Sequence, residues 1–230
     1  MDAVIIDGFK QAGSGNYRAG RSAPIRYIVV HYTANKGDTA KNNADYFART
    51  TTKTSAHYFV DEKEVWQSVR EKDTAYHCGA DTYKHPFCRN GNSIGVEMCL
   101  LDKAGNMRPG TIDTALSVVQ QLMAAYDIPI DRVLRHYDVT GKSCPRPMVE
   151  NPQLWEGFKK ELEGVDTMLD YPEWARKTYH WYDDMPEWAR ASVQKAVKKG
   201  IVSVNEDNSV TVLGCNLQPL VYMDRAGMLD

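Results

Sequence analysis

One short segment of the chain, residues 134–145, carries three side chains that could do chemistry together. It contains His136, Lys142 and Cys144, and Pro145 follows directly. An imidazole nitrogen and a thiolate sulfur are ligands that suit zinc. Two protein ligands do not hold a catalytic zinc ion, so a third ligand has to come from elsewhere in the chain.

The best candidate for the third ligand is His31, which follows a run of apolar and β-branched residues at 25–30. Such a run is typical of a buried strand, and residues 127–135, just before His136, have a similar character. Side chains at the ends of two buried strands can face one cavity. Ligation by His31, His136 and Cys144 would leave the fourth zinc position open, as in hydrolytic rather than structural zinc sites.

A carboxylate, Glu97, interrupts the otherwise apolar strand pattern of residues 93–100. An unpaired buried carboxylate costs roughly several kcal/mol of desolvation. Burial also raises the pKa of a carboxyl group, which makes it a competent acceptor for a proton from zinc-bound water. A structural ion pair with an arginine is the alternative for Glu97. Lys142 would direct a cation at an oxyanion, although a solvated loop lysine is an equal alternative.

The elements that must position these residues alternate between strand and helix patterns. Helices are predicted over 38–49, 111–126 and 152–164 from their helical spacing of apolar residues. Further strands are predicted at 55–60 and 64–69, and residues 8–24 are predicted to be irregular. Residues 76–92 lack periodicity, and a loop of that length is usually functional. All of these ranges are read from the printed sequence.

The residue pattern of the sequence changes after Gly164, and we place a domain boundary at about 165–171. The motif Pro-Glu-Trp-Ala-Arg occurs at 172–176 and again at 186–190. A helix is predicted over 186–199 and a short β segment over 209–213. The sequence therefore predicts two domains, residues 1–165 and residues 166–230.

Bulk composition excludes several classes of partner. Lys and Arg total 28 against 30 Asp and Glu, so nothing favours nucleic acid as a partner. No apolar run approaches the length of a membrane span. Five cysteines without regular spacing predict reduced thiols, although Cys78 and Cys88 could pair across the loop between them. The N-terminus lacks the basic start and apolar core of a secretory signal.

Four segments resemble the motifs of the type-2 N-acetylmuramoyl-L-alanine amidases, in the family order and with compatible spacing. That family includes bacteriophage endolysins and is related to the peptidoglycan-recognition proteins. The resemblance runs from about Ser22 to Lys160. The motifs are His31-Tyr32-Thr33-Ala34, Ser55-Ala56-His57-Tyr58-Phe59-Val60, Asn92-Ser93-Ile94-Gly95-Val96-Glu97 and His136-Tyr137-Asp138-Val139-Thr140-Gly141-Lys142-Ser143-Cys144-Pro145.

The resemblance implies an α/β fold with a central mixed β-sheet flanked by helices, followed here by a small, mainly helical C-terminal domain. It implies one zinc ion and cleavage of the amide bond between N-acetylmuramic acid and L-alanine of the stem peptide in bacterial peptidoglycan. His31, His136 and Cys144 match the zinc ligands of the family. Glu97 matches the acidic position of the bacterial and phage branch, and Lys142 matches the lysine ahead of the ligand cysteine.

The chain departs from some relatives at one position, since they carry a tyrosine directly before the histidine that matches His57. This chain has Ala56 there. Either Glu97 is the base alone or His57 or Tyr58 assists it, and we favour Glu97 alone.

We also expect the loop over residues 76–92 to form a wall of the substrate groove. Its side chains His77 and Tyr83 join His57 and Tyr58 as candidate substrate-binding residues. The alternative for the loop is that it makes no contact with a ligand.

The C-terminal segment resembles, over a short stretch, one S-layer-homology repeat, which is a wall-binding unit. We therefore expect it to bind a cell-wall polymer, although Trp174, Trp181 and Trp188 could simply form a small core. Without a signal peptide, we expect synthesis in a bacterial cytoplasm and release to the wall through a holin-type membrane hole.

Two other functions remain open. A thiol peptidase of cell-wall peptides would use Cys144 as nucleophile and His31 or His136 as base, but it would leave Glu97 and the second histidine without a role. A non-catalytic peptidoglycan receptor on the same fold would not require an open metal site. Sensitivity to chelators separates the first alternative, and release of muropeptides separates the second.

Overall fold

The structure is a computed structural model that describes residues 4–163, 177–205 and 209–229. The chain divides into two compact units, Met1–Glu163 and Gly164–Asp230. The boundary expected at 165–171 and the first copy of the Pro-Glu-Trp-Ala-Arg motif lie outside the described residues.

The described residues of the first unit form eight strands, which are β1 (Gly8–Phe9), β2 (Tyr17–Arg18), β3 (Tyr27–Tyr32), β4 (Tyr58–Val60), β5 (Val65–Gln67), β6 (Thr74–Ala75), β7 (Ser93–Met98) and β8 (Val133–Arg135). Six of them form the central sheet, in the order β1-β5-β4-β7-β3-β8. Strands β4 and β5 pair antiparallel and the other neighbours pair parallel, which confirms the predicted mixed sheet. The remaining two strands, β2 and β6, form a separate pair.

Strand β3 lies between β7 and β8 and runs parallel to both. In this register His31 lies opposite Glu97, and Val30 lies opposite Arg135. Strands covered on both faces are apolar nearly throughout, which is why 25–30 and 93–100 lack a simple alternation. The carboxyl ends of β3, β7 and β8 therefore meet at one edge of the sheet.

Five helices accompany the sheet, and the three longest agree with the helical spacing of the sequence. The hydroxyl of Thr39 caps the first by accepting from the amide of Asn42 at 3.2 Å. The second helix ends at Asp127, which is left-handed with φ of 50°. The helices are α1 (Ala40–Arg49), α2 (Pro109–Tyr126), α3 (His136–Thr140), α4 (Arg146–Glu150) and α5 (Pro152–Glu163).

The main core of the first unit lies between the sheet and the inner faces of α2 and α5. It includes Ile28, Val30, Val96, Leu122 and Phe158, all of them buried. Burial of a side chain of this size contributes about 1.5–3 kcal/mol to stability. This core holds the strands that end at the polar edge of the sheet.

Local structure differs from the sequence predictions mainly at segment ends. The lead-in at 8–24, expected to be irregular, contains β1 and β2 because each finds a distant pairing partner. Residues 127–135 form a strand only over Val133–Arg135, after a 3₁₀ turn at Ile130–Arg132. The loop at 76–92 contains only a terminal 3₁₀ turn, Asn90–Asn92.

The second unit has its own small core between two helices, α6 (Glu187–Lys198) and α7 (Leu217–Arg225). The strands β9 (Thr178–Tyr179) and β10 (Val212–Leu213) pair antiparallel beside them. The helix expected over 186–199 thus runs from Glu187 to Lys198. Across the described residues, no helix combines the length and the apolar character that crossing a bilayer requires.

Candidate metal centre

Three side chains from distant parts of the chain meet at the carboxyl edge of the sheet. His31 lies near the end of β3, His136 begins α3, and Cys144 lies in the loop after α3. Nδ1 of His31 lies 3.1 Å from Nδ1 of His136 and 3.9 Å from Sγ of Cys144. One ligand atom from each residue lies within 4.8 Å of the other two, and all three residues are buried.

Local backbone structure explains how His136 and Cys144 come together. The carboxylate of Asp138 accepts from the amide of Arg135 at 2.9 Å, which caps the start of α3. Gly141 ends the helix with φ of +85°, a conformation that favours glycine. The amide of Tyr137 then donates to the carbonyl of Cys144 at 2.9 Å, which closes the loop.

The donor set fits a zinc ion. A tetrahedral ion with ordinary Zn–N bonds separates two ligand nitrogens by about 3.3 Å, close to the 3.1 Å between the two Nδ1 atoms. Burial, with Lys142 adding to it, lowers the pKa of His136 to about 4, and burial lowers the pKa of His31 well below its usual value. Both imidazoles are therefore neutral near pH 7 and have lone pairs for a cation.

The thiol of Cys144 is poorly suited to ionise by itself. Burial, together with the negative charge of Glu97, raises the pKa of Cys144 to about 12. A coordinated cation is one of the few partners that makes a buried thiol lose its proton.

Glu97 lies on β7, directly opposite His31. Its Oε1 is 4.0 Å from Nδ1 of His31, and its side chain is 21% exposed. Its Oε2, however, is buried and lacks a hydrogen-bond partner among the described residues. Burial raises the pKa of Glu97 to about 7, Lys142 opposes that rise, and Asp38 adds to it. Among the ion pairs of the described residues, none joins Glu97 to an arginine, as the structural alternative would require.

The site opens into two adjacent cavities. The smaller, of about 230 Å³, is lined by His31, Glu97 and Cys144 among others. The larger, of about 950 Å³, shares His136 and Lys142 with it and extends outward. The loop at 76–92 forms one wall of the larger cavity through Tyr76, His77, Gly79, Ala80, Asp81, Thr82 and Asn90.

Another part of the rim of the larger cavity is a tight turn that includes Lys53 and Thr54. The fully buried side chain of Asn16 fixes this turn. Its amide donates to the carbonyls of Phe47 and Thr50 at 2.8 and 2.6 Å. Its Oδ1 accepts from the amides of Thr52 and Lys53 at 2.7 and 3.0 Å. Lys53 adopts φ of +57°, a left-handed conformation that is costly for a residue with a side chain and is held here by Asn16.

Two of the four side chains expected to contact substrate do not reach the cavities. His57 and Tyr58 are 0% and 1% exposed. Nδ1 of His57 accepts from the amide of Gly95 at 3.0 Å, and the hydroxyl of Tyr58 donates to Glu71. Tyr58 begins β4, which is covered on both faces, and His57 directly precedes it, so both side chains pack into the interior and line neither cavity.

The other two side chains lie in the expected loop but differ in their surroundings. Tyr83 is half-buried, and the guanidinium of Arg89 lies 3.8 Å from the centre of its ring. Tyr83 lines neither of the two site cavities. His77 lines both cavities, yet its Nδ1 lies 3.1 Å from Nε2 of His31. Sequence reasoning placed His77 near the site but missed this contact.

Comparison with known proteins is consistent with this geometry. Residues 21–147 match the Amidase_2 family, described as N-acetylmuramoyl-L-alanine amidase. The chain is 37% identical over 152 residues to N-acetylmuramoyl-L-alanine amidase CwlL of Bacillus licheniformis. This alignment covers 62% of this chain and 42% of the relative. It is 36% identical over 152 residues to N-acetylmuramoyl-L-alanine amidase BlyA of Bacillus subtilis (strain 168), covering 60% of this chain and 41% of the relative.

Solved structures give a similar result. The structure of PlyL aligns with a TM-score of 0.58 at 30% identity, covering 67% of this chain and 94% of PlyL. The catalytic domain of XlyA aligns with a TM-score of 0.56 at 30% identity, covering 67% of this chain and 98% of that domain. The chain spans less than half the length of the curated relatives CwlL and BlyA.

Proposed function

The chain belongs to the N-acetylmuramoyl-L-alanine amidase family, and on that premise we propose that it is a zinc-dependent peptidoglycan hydrolase. The bond cleaved is the amide between N-acetylmuramic acid and the L-alanine of the stem peptide. The observation that carries the proposal is the meeting of His31, His136 and Cys144 within 4.8 Å beside an open cavity. A buried, unpartnered oxygen of Glu97 faces the same region from the neighbouring strand.

The metal ligands in this proposal are Nδ1 of His31, Nδ1 of His136 and Sγ of Cys144. A zinc ion bound there would polarise the scissile carbonyl and lower the pKa of a coordinated water. The protein contributes buried ligand side chains, around which electrostatic interactions are stronger than in water.

Glu97 is the general base in this proposal. Its Oε2 is buried and has no partner in the part of the chain that the structure describes, so a lone pair is available to a water molecule in the cavity. Burial raises the pKa of Glu97 to about 7, close to the operating range of a base that accepts a proton and then returns it. Glu97 takes the proton of the attacking water and delivers it to the leaving amide nitrogen.

Lys142 stabilises the negative charge that develops on the carbonyl oxygen. Lys142 is exposed and lines both cavities, and its charge lowers the pKa values of His136 and Glu97. A cation beside a developing oxyanion stabilises the transition state.

The larger cavity accommodates the polymer. Its volume of about 950 Å³ lies at the upper end of the range for small-molecule sites, which suits an extended glycopeptide better than a single sugar. Polar backbone and side-chain groups of the loop at 76–92 form one wall, and the turn that carries Lys53 and Thr54 adds to the rim.

The test is digestion of purified peptidoglycan, with the products analysed by mass spectrometry. The proposal expects intact stem peptides with a free L-alanine amino group, glycan strands without peptide, and about one zinc per chain in the active protein. Cleavage within the glycan or within the peptide would contradict it.

The same assay separates the two alternatives. A thiol peptidase would keep its activity in a chelator, whereas the proposed enzyme loses it and regains it with added zinc. The raised pKa of Cys144 also disfavours a thiol nucleophile, since such enzymes depend on a lowered thiol pKa. A receptor without catalysis would bind peptidoglycan and release no products.

For the second unit, residues 164–230, we propose that it tethers the enzyme to a cell-wall polymer. Support comes from the short resemblance to an S-layer-homology repeat and from partly exposed aromatic side chains, Trp181 at 49% and Tyr222 at 61%. Tethering a hydrolase to an insoluble polymer raises its effective concentration at the substrate.

A chain truncated after Glu163 tests the tethering proposal. We expect it to co-sediment less with cell walls while it still cleaves soluble muropeptides at the rate of the full chain. Circular dichroism of the truncated chain serves as the control for folding. Equal sedimentation of both chains would reject the proposal.

A further inference from the structure

The ring of His31 has two nitrogens. Nε2, which faces away from the proposed metal ligands, contacts the side chain of His77. We propose that His77 and Ser93 are positioning residues that fix the tautomer of His31, so that the lone pair of Nδ1 faces His136 and Cys144. This inference rests on the proposed metal site, but not on the identity of the substrate.

A continuous hydrogen-bonded chain leads from His31 to the backbone. Nε2 of His31 lies 3.1 Å from Nδ1 of His77, and Nε2 of His77 lies 3.1 Å from the hydroxyl oxygen of Ser93. That hydroxyl lies 2.7 Å from the carbonyl oxygen of Arg89. His31, His77 and Ser93 are 1%, 8% and 0% exposed, so bulk water does not replace these contacts.

The carbonyl at the end of the chain determines where each hydrogen lies. A carbonyl oxygen only accepts, so the single hydrogen of the Ser93 hydroxyl points to Arg89. The Ser93 oxygen then accepts from Nε2–H of His77. A neutral His77 with its hydrogen on Nε2 has a lone pair on Nδ1, which accepts from Nε2–H of His31. The hydrogen of neutral His31 is therefore on Nε2, and its Nδ1 is left with a lone pair.

A second polar atom lies near the Ser93 hydroxyl. Sγ of Cys78 is 3.8 Å from the hydroxyl oxygen, against 2.7 Å for the carbonyl oxygen of Arg89. The single hydrogen of the hydroxyl is therefore assigned to the shorter contact, with Arg89.

The sequence of β7 makes room for this arrangement. A Cβ atom at Gly95 would lie 2.6 Å from Cγ of His77, so only glycine lets the ring approach the strand. Ser93, Gly95 and Glu97 alternate along β7 and therefore share one face of it. The backbone of His77 is fixed as well, because its amide donates to the side chain of Asn90 at 3.1 Å.

Fixing a tautomer has a direct consequence for metal binding. The wrong tautomer would place an N–H at the metal position and would have to be exchanged before ligation. Groups that orient metal-binding histidines in this way typically change metal affinity by about 10–100-fold when they are removed.

Ser93→Ala is the first test, with Ser68→Ala as the matched control. Ser68 is also a fully buried serine, but its hydroxyl has no hydrogen-bond partner within the described ranges of the chain. We expect Ser93→Ala to weaken zinc binding by about 10–100-fold, measured by competition with a chromophoric chelator. Ser68→Ala should bind zinc like the unaltered chain, and equal affinities of the two variants would overturn the proposal.

Replacement of His77 tests the next step of the chain. Asparagine at this position offers a carbonyl oxygen close to the place of Nδ1, whereas leucine offers no acceptor. We expect His77→Asn to retain more zinc affinity than His77→Leu, with both variants compared by thermal unfolding of the metal-free proteins. Equal loss in both would mean that His77 acts only by filling space.

A measurement on the unaltered chain does not depend on any variant folding. Long-range ¹H–¹⁵N spectra of the metal-free protein report which ring nitrogen of His31 carries hydrogen. We expect Nε2–H for both His31 and His77, and Nδ1–H on His31 would overturn the proposal. Because this result and the zinc affinity are independent of hydrolysis, a failure of the proposed amidase activity is recognised separately.

Discussion

The two sides of His31 differ in how their polar atoms are satisfied. On the side of His77, each nitrogen and hydroxyl has a partner, and the chain of contacts ends at the carbonyl of Arg89. On the opposite side, Nδ1 of His31 lies within hydrogen-bond distance of Nδ1 of His136, at 3.1 Å, but Oε2 of Glu97 has no partner among the described residues. Buried polar groups are normally hydrogen-bonded, so this unpaired side, which leaves the Glu97 oxygen unsatisfied, is the one that a ligand completes.

The comparison indicates that one imidazole ring can be held rigidly on one side and stay available to a ligand on the other. The paired side holds His31 without relying on any bound group. The unpaired side carries the cost of desolvation that a metal ion, water and substrate relieve. Because both sides share one imidazole ring, their contributions can be separated by substitutions on either side of it.

The largest effect is expected from removing a ligand on the unpaired side. His136→Ala removes one of three donors, and we expect the purified variant to contain little zinc and to hydrolyse peptidoglycan at background rate. Metal content by mass spectrometry and product release measure the two effects. A variant that retains one zinc per chain and full activity would show that His136 is not a ligand.

Glu97→Gln is expected to separate chemistry from metal binding. The amide cannot accept the proton of the attacking water, so we expect kcat to fall by about 10²–10⁴-fold while zinc content is unchanged. The free energy of unfolding should not decrease, because the change removes a buried carboxylate with an unpartnered oxygen. Retained activity would place the base elsewhere.

Lys142→Met is expected to have a smaller effect on the same step. Methionine keeps much of the length of the side chain but removes the cation that faces the developing oxyanion. We expect kcat to fall by about 10²–10³-fold, with a smaller change in KM. A change in KM alone would indicate that Lys142 binds substrate without stabilising the transition state.

The smallest effect is expected at a buried polar atom that lies outside the site. Among the described residues the hydroxyl of Ser68 lacks a partner, as does Oε2 of Glu97, but Ser68 lines neither site cavity. Ser68→Ala should change the free energy of unfolding by less than about 1 kcal/mol, and the change should be neutral or stabilising. Urea denaturation measures it, and a large loss of stability would show that the hydroxyl has a partner such as a buried water.

The part of the site that depends on strand ends could be predicted from the sequence. His31 and Glu97 each interrupt or follow an apolar run, and parallel pairing of β3 with β7 places them opposite each other. The burial of His57 and Tyr58 could not be read from the pattern, because a strand covered on both faces gives no alternation that distinguishes inside from outside.

Contacts between distant, irregular segments also could not be predicted from the sequence. His77 lies in a loop and meets His31 across 46 positions of the chain, and no periodicity signals that contact. The spacing of Ser93, Gly95 and Glu97 at alternate positions was a usable signal, since it places a hydroxyl and a gap on the same face as the carboxylate. Strands β1 and β2 were missed because short pairings are decided by their distant partners.

The buried side chain of Asn16 holds the backbone at the cavity rim in place, whichever side chains the rim exposes. Three backbone groups of the turn, at Thr50, Thr52 and Lys53, and the carbonyl of Phe47 in α1 are bonded to this one amide, so the turn keeps its form without help from the exposed side chain of Lys53. Position 53 is consequently a place where evolution or a protein engineer can exchange side chains to retune preference among wall chemistries, at little cost to the scaffold.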